Sequence, residues 1–172
     1  MNGGAVCPGC YARLTDSGGP THRYIGASPA CWGLYNRLIA GELPMLRSPW
    51  SPLLVDAYAA QHPGDDSPQA TQSVAVHLVV LTAVLSENRS IADAMALRVA
   101  AVEVGRAADG YPKLEPVPSE WDLTIADLSR AAASSEVPPL ADYVDGVRER
   151  WTALHGETIH YWYRAAESRV WK

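Results

Sequence analysis

Several absences limit what this sequence can encode. The 172 residues include no phenylalanine, so the large aromatic side chains are six Trp and eight Tyr. Each of these carries a polar group that needs a hydrogen-bond partner when it is buried. There is no run of Lys or Arg, and 19 acidic against 14 basic residues give a net charge of -5. Nucleic acids and anionic membrane surfaces attract concentrated positive charge, so we expect neither as a partner.

The expected cellular location follows from two further absences. Residues 1–6 have neither the basic nor the apolar region of a signal peptide, and the longest apolar stretch, 74–85, is too short to span a bilayer. We therefore expect a cytoplasmic protein. In a reducing compartment its three cysteines would be free thiols or metal ligands and not a disulfide framework.

Ser-Pro pairs at positions 28–29, 51–52 and 67–68 each precede a stretch with helical apolar spacing. Serine caps the first backbone amides of a helix, and proline is tolerated in its first turn. Together with the other start and stop signals, this spacing predicts helices over 29–40, 52–61, 68–86, 90–108, 125–133 and 139–169. The Ala-rich stretch 92–108 shows nothing beyond ordinary helix.

These elements predict an all-α fold, a compact bundle of five or six helices. Residues 1–27 are rich in Gly and turn-forming residues and predict an irregular arm that needs a metal to stay ordered. We expect a single helical domain over 1–172, with the arm at 1–27 and the bundle at 28–172. The last helix is predicted to bury one stripe of residues: Val144, Val147, Trp151, Leu154, Thr158, Tyr161 and Ala165.

The strongest local motif is Cys7-Pro8-Gly9-Cys10. Two thiolates at this spacing can bind one tetrahedral metal ion, and zinc is the ion expected. Cys31, in the first turn of a predicted helix, is the natural third ligand. His62 is taken as the fourth, with His77, an Asp or water as alternatives. A redox dithiol is the competing hypothesis, but the sequence lacks the βαβ pattern that such a pair prefers.

A second set of residues indicates acid–base chemistry. Asp56 lies on a predicted apolar helix, where a buried carboxylate needs a partner. His77 lies on the most apolar helix and His155 follows Trp151 by one helical turn. We predict that Asp56, His77 and His155 are catalytic, and that some Trp and Tyr rings border a polar cavity near the two histidines.

Four segments resemble a family of small bacterial proteins of unknown function: the early CPGC, SPACW at 28–32, VDAYAAQHPG at 55–64 and SVAVHL at 73–78. In that family a glycine often follows the second cysteine, where this chain has Tyr11. The resemblance implies that the segments form one functional or structural unit. Its members would be Cys7, Cys10, Cys31, Asp56, His62 and His77.

Two hypotheses about function remain open. The first is an enzyme, a zinc-dependent hydrolase, lyase or tailoring enzyme that acts on a small, partly apolar or aromatic molecule. The second is a non-catalytic binding or scaffold protein with a closed structural zinc site. Part of the aromatic cluster of the last helix is expected to line a pocket or to pack on a partner, as in a homodimer.

Overall fold

The computed structural model describes residues 4–15, 18–41, 48–134, 136 and 139–171. It confirms the predicted all-α fold. The helices are α1 (Pro29–Ile39), α2 (Leu54–Gln61), α3 (Pro68–Leu85), α4 (Ile91–Ala107), α5 (Ile125–Ala133) and α6 (Leu140–Val170), and a turn of 3₁₀ helix, Ser51–Leu53, leads into α2.

The helix starts follow the capping chemistry of the sequence. Ser28, Ser67 and Ser90 each accept a hydrogen bond from the backbone amide three residues later. Thr124 and Asp127 form a capping box at the start of α5. The remaining Ser-Pro pair, at 51–52, opens the 3₁₀ turn instead of an α-helix.

The centre of the bundle is α3, which packs against α2, α4 and α6, while α1 packs against α5. By length and composition alone α3 is apolar enough to cross a membrane, but 56% of it is buried inside the protein. Burial on nearly all sides explains why its apolar residues show no single face.

Tyr and Trp side chains satisfy their polar groups inside this core. The Trp151 indole donates to the carbonyl of Ala60 at 2.9 Å, and the Tyr143 hydroxyl donates to Gln61 Oε1 at 3.1 Å. Both bonds tie α6 to the end of α2. They fix the position of α2, which carries Asp56 and is followed directly by His62.

The predicted stripe on α6 is correct as far as Trp151 and wrong beyond it. His155 has φ -137° and ψ 23°, which kinks the helix. After the kink the buried residues are Ile159, Trp162, Tyr163 and Ala166, whereas Tyr161 is 71% exposed. Leu154 is already 47% exposed, one residue before the kink, so the predicted stripe fails there first, and the kink then shifts the buried face of the residues that follow.

The N-terminal arm contains one element that the sequence did not predict. Two short antiparallel strands, β1 (Ala5–Val6) and β2 (Arg13–Leu14), pair Ala5 with Leu14 and Val6 with Arg13. Two residues per strand are too few to show an alternating pattern. The arm then reaches the bundle, where the Gly26 amide donates to the His62 carbonyl at 2.9 Å.

Candidate functional site

The turn between β1 and β2 carries Cys7 and Cys10. The Cys7 amide donates to the Ala12 carbonyl at 2.9 Å, and the Tyr11 amide donates to the Cys7 carbonyl at 2.9 Å. Tyr11 has φ 61°, a left-handed conformation that favours glycine. This explains physically why a glycine suits the position after the second cysteine. Both cysteines are buried.

Two helix ends supply the remaining donors. Cys31 lies in the first turn of α1, where its amide donates to Ser28 Oγ at 3.3 Å. His62 terminates α2 because Pro63 follows it. Cys31 Sγ lies 3.8 Å from Cys10 Sγ and 3.2 Å from His62 Nε2.

The structure thus brings together all four residues selected as metal ligands. One donor atom each from Cys7, Cys10, Cys31 and His62 lies within 4.8 Å of every other, and all four residues are buried. Three sulfurs and one imidazole nitrogen at this separation can hold a single metal ion. His77, the alternative fourth ligand, lies in a different cluster.

Hydrogen bonds orient these donors. His62 Nδ1 lies 2.7 Å from the Tyr58 carbonyl oxygen, which can only accept. Nδ1 therefore carries a proton, and Nε2 presents its lone pair to the sulfurs. The Tyr58 hydroxyl donates to Cys31 Sγ at 3.6 Å, and the Ser28 amide donates to Cys7 Sγ at 3.4 Å.

The three thiols share one buried space, so ionising one of them opposes ionising the next. Hydrogen bonds from Cys10 and Cys31 hold the pKa of Cys7 far below its usual value. The contact with Cys31 acts to lower the pKa of Cys10, but Cys7 and burial outweigh it and raise that pKa to about 12. Hydrogen bonding to Cys10 and Cys7, with burial, raises the pKa of Cys31 further. A bound cation would stabilise all three thiolates.

Close packing explains Gly9 between the two cysteines. A Cβ there would lie 2.7 Å from both Cα and Cδ2 of His62, and 2.8 Å from the Gly26 carbonyl oxygen. From the other side, the Trp121 indole donates to the Gly9 carbonyl at 3.1 Å. The turn is therefore pressed against His62 with no room for a side chain.

A second buried cluster surrounds Asp56, whose side chain is fully buried on α2. Its Oδ1 lies 2.7 Å from His77 Nδ1, on α3. Arg98, on α4, donates from Nη2 to both carboxylate oxygens at 2.7 Å. The buried carboxylate thus has the partners that the sequence argument required. None of these three residues belongs to the group of four donor residues described above.

Two further groups near Asp56 are in unusual environments: the Tyr35 hydroxyl and Nε of Arg98. Burial, with the Asp56 carboxylate, raises the pKa of Tyr35 to about 12. Arg98 Nε is buried and has no hydrogen-bond partner among the described residues. An unpaired buried donor costs about 1–3 kcal/mol, so this one calls for an explanation.

The structure does not bring His155 to this cluster. Its Nε2 lies 2.8 Å from the Pro116 carbonyl oxygen, and its ring lies 5.8 Å from that of Trp151. Trp151 and Trp162 border a cavity lined mainly by apolar residues from the start of α3 and the 111–123 connection. Among the described residues, neither His77 nor His155 lines it, so the rings and the two histidines are not brought together there.

Sequence reasoning missed three residues that shape these sites. Arg98 lies in an Ala-rich helix that also carries Arg106, and its only usable signal is a positive charge available to pair with the expected buried carboxylate. Tyr58 lies within the VDAYAAQHPG segment, but its contact with Cys31 depends on how α1 and α2 pack. Trp121 gave no signal, since it lies 112 positions from its partner Gly9.

Comparison with known proteins gives one finding. A family model, the family of unknown function DUF5946, matches residues 5–153, which include both clusters. No curated protein and no solved structure matches the chain significantly.

Proposed function

Because the chain belongs to DUF5946, a family of unknown function, we propose its role from the geometry of its sites: Cys7, Cys10, Cys31 and His62 bind one structural Zn²⁺. The observation that carries this proposal is the convergence of four buried donor atoms from the arm, α1 and the end of α2. The ion would link the N-terminal arm to the helical bundle.

Donor chemistry and spacing support zinc. Three thiolates with one imidazole form a common structural zinc set. Zn–S bonds of about 2.3 Å at the tetrahedral angle place two sulfurs about 3.8 Å apart. Cys10 Sγ and Cys31 Sγ lie 3.8 Å apart.

A structural role is favoured over a catalytic one because the four protein donors complete a tetrahedral shell. A catalytic zinc keeps one position for water or substrate, and all four residues here are buried. The short arm also needs such a link, because residues 4–15 contribute only a hairpin with two residues per strand and few buried side chains.

The test is the zinc content of protein purified without added metal, together with Cys7→Ser and His62→Gln variants. We expect one zinc per chain in the unmodified protein and a marked loss in both variants. His155→Gln, a histidine outside the cluster, serves as the matched control and should keep its zinc. Wild-type protein without stoichiometric zinc would exclude the proposal.

X-ray absorption at the zinc edge then decides the role of the ion. Three sulfurs and one nitrogen in the first shell are expected for the structural site. A first-shell oxygen in the ligand-free protein would instead indicate an open, catalytic position, and would overturn the structural assignment.

We also propose a second role, acid–base catalysis at Asp56 and His77, favoured by the 2.7 Å separation of Oδ1 and Nδ1. A carboxylate that accepts from Nδ1 orients the ring and leaves Nε2 of the neutral imidazole as a base. His77 is 18% exposed while Asp56 is fully buried, so of these two groups the imidazole is the one that could meet a substrate.

The tautomer of His77 tests this second role directly. In ¹⁵N-labelled protein we expect a proton on Nδ1 and a free lone pair on Nε2, with the preference weakened by Asp56→Asn. A His77 ring protonated on Nε2 alone would refute a base at that atom. The zinc assays do not depend on this result.

A further inference from the structure

We propose that Arg98 and His77 form a binding site for a small oxyanion, the carboxylate or phosphate group of a substrate, with Asp56 as their buried support. The proposal deepens the acid–base role of Asp56 and His77 and rests on it. It names the class of molecule that would lie against the imidazole.

The first argument concerns the hydrogen-bond donors of Arg98. Within the described residues, every hydrogen bond of its guanidinium leaves from Nη2, and Nε has no partner. A guanidinium has five N–H donors arranged as planar forks, each suited to a carboxylate or phosphate. One fork, Nε with Nη2, would satisfy Asp56 and Nε together. The other, Nη1 with Nη2, would then be free for an oxyanion.

The second argument concerns exposure. Asp56 is fully buried, whereas the side chains of His77 and Arg98 are 18% and 30% exposed. A molecule that approaches the cluster therefore contacts the imidazole of His77 and the guanidinium of Arg98, and not the carboxylate of Asp56. Partial burial also strengthens a hydrogen bond to an ion relative to one in open water.

The third argument is charge. Asp56 and Arg98 cancel one another, and among the described residues no second carboxylate hydrogen-bonds to the cluster. An oxyanion would thus meet the guanidinium without direct repulsion from another bound anion. When His77 accepts a proton from a substrate or water, the cluster becomes net positive and stabilises the anion that forms.

The experiment is an NMR titration of the zinc-loaded, ¹⁵N-labelled protein with inorganic phosphate and, separately, with sodium acetate, at constant pH and ionic strength. We expect a saturable shift of His77 Nε2 and of the Arg98 Nε–H in at least one titration. Tighter binding of phosphate identifies a phosphate group, and tighter binding of acetate identifies a carboxylate.

A matched control is present on α6, where Arg164 Nε donates to His160 Nε2 at 3.2 Å. This exposed His–Arg pair contacts Glu87 and Glu167, which are both partly exposed and not fully buried like Asp56, so its resonances should shift weakly and without saturation. Arg98→Lys should weaken binding at His77 about tenfold because lysine lacks the planar fork, whereas Arg164→Lys should leave it unchanged.

Three results would overturn the proposal: no saturation with either anion, equal shifts at His77 and His160, or unchanged affinity in a folded Arg98→Lys protein. If Arg98→Lys does not fold, His77→Asn is the second variant. The asparagine amide can still donate to Asp56, and the Arg98 Nε–H signal then reports anion binding. Binding should be weaker in His77→Asn than in the wild type, and an unchanged affinity in this variant also refutes the site. The tautomer is measured in ligand-free protein, so failure of the acid–base role and failure of anion binding give different observations.

Discussion

Replacing Gly9 with alanine tests the packing of the metal centre. The added Cβ would lie 2.7 Å from two carbon atoms of His62 and 2.8 Å from the Gly26 carbonyl oxygen. Two of these three atoms belong to the backbone, so no side-chain rotation can remove the clash. The turn carrying Cys7 and Cys10 must move away from His62, or His62 must move away from the turn.

The size of the effect follows from these distances. An ordinary carbon–carbon contact is about 3.5–4.0 Å, so the turn must retreat by roughly 1 Å. Metal–ligand distances tolerate shifts of about 0.2 Å. Part of the binding free energy of a structural zinc, about 10–16 kcal/mol in small zinc domains, should therefore be lost. We expect zinc affinity to fall at least about tenfold, which corresponds to about 1.4 kcal/mol.

The assay is competition for zinc with a chelator of known affinity, followed by urea denaturation of the zinc-loaded protein. Gly33→Ala on α1 is the matched control, because a Cβ at that position meets nothing within 4 Å. It should keep its zinc affinity and gain up to about 1 kcal/mol in the free energy of unfolding. Equal zinc affinity in the two alanine variants would refute the packing argument.

Three further predictions concern other parts of the chain. Tyr11→Gly should increase the free energy of unfolding by about 1 kcal/mol, because Tyr11 has φ 61°. Asn88→Gly should increase it less, because asparagine tolerates its φ of 53° better than tyrosine does. Equal gains in the two variants would contradict this explanation. Asp56→Asn should cost about 3 kcal/mol in urea denaturation because it leaves Arg98 without its anion. Asp122→Asn, in an exposed ion pair, should cost less than about 1 kcal/mol, and similar costs would show that burial is unimportant. Glu167 accepts from the Tyr163 hydroxyl and from Arg164 and Arg89, which lowers its pKa from 4.5 to about 2. The ionised Glu167 therefore stabilises the protein above about pH 4.5, and this stabilisation is lost as the pH falls towards 2. Over that range the free energy of unfolding should fall less in Glu167→Gln than in the wild type. Parallel pH profiles of the two proteins would contradict the assignment.

Helix positions were predictable from sequence because capping is local. The predicted starts at Pro29 and Pro68, the end at Gln61 and the full 125–133 helix agree with the structure, and the remaining ends differ by one or two residues. Ser28 and Thr124 act on amides three positions away, so their effect does not depend on the rest of the fold. The hairpin was not predictable, because two residues per strand give no period.

The four candidate metal ligands could be selected from sequence for a similar reason. The spacing of Cys7 and Cys10 is a local constraint that metal binding imposes, and Cys31 and His62 lie at helix ends, where a side chain can reach a neighbouring segment. Asp56 and His77 were singled out because charge within apolar helices requires a partner. By contrast, neither helix sequence shows which residues pair with Asp56.

The all-α class, the helix boundaries to within two residues and three cysteines suited to a metal can be predicted from sequence alone, because capping, apolar period and ligand spacing act over a few residues. Three further features are visible only in the folded protein: His62 and not His77 lies against the sulfurs, Arg98 pairs with Asp56, and His155 lies apart. Each of these depends on how separate helices pack. A kink at His155 also changes the buried face of α6, because one non-helical residue rotates everything that follows it.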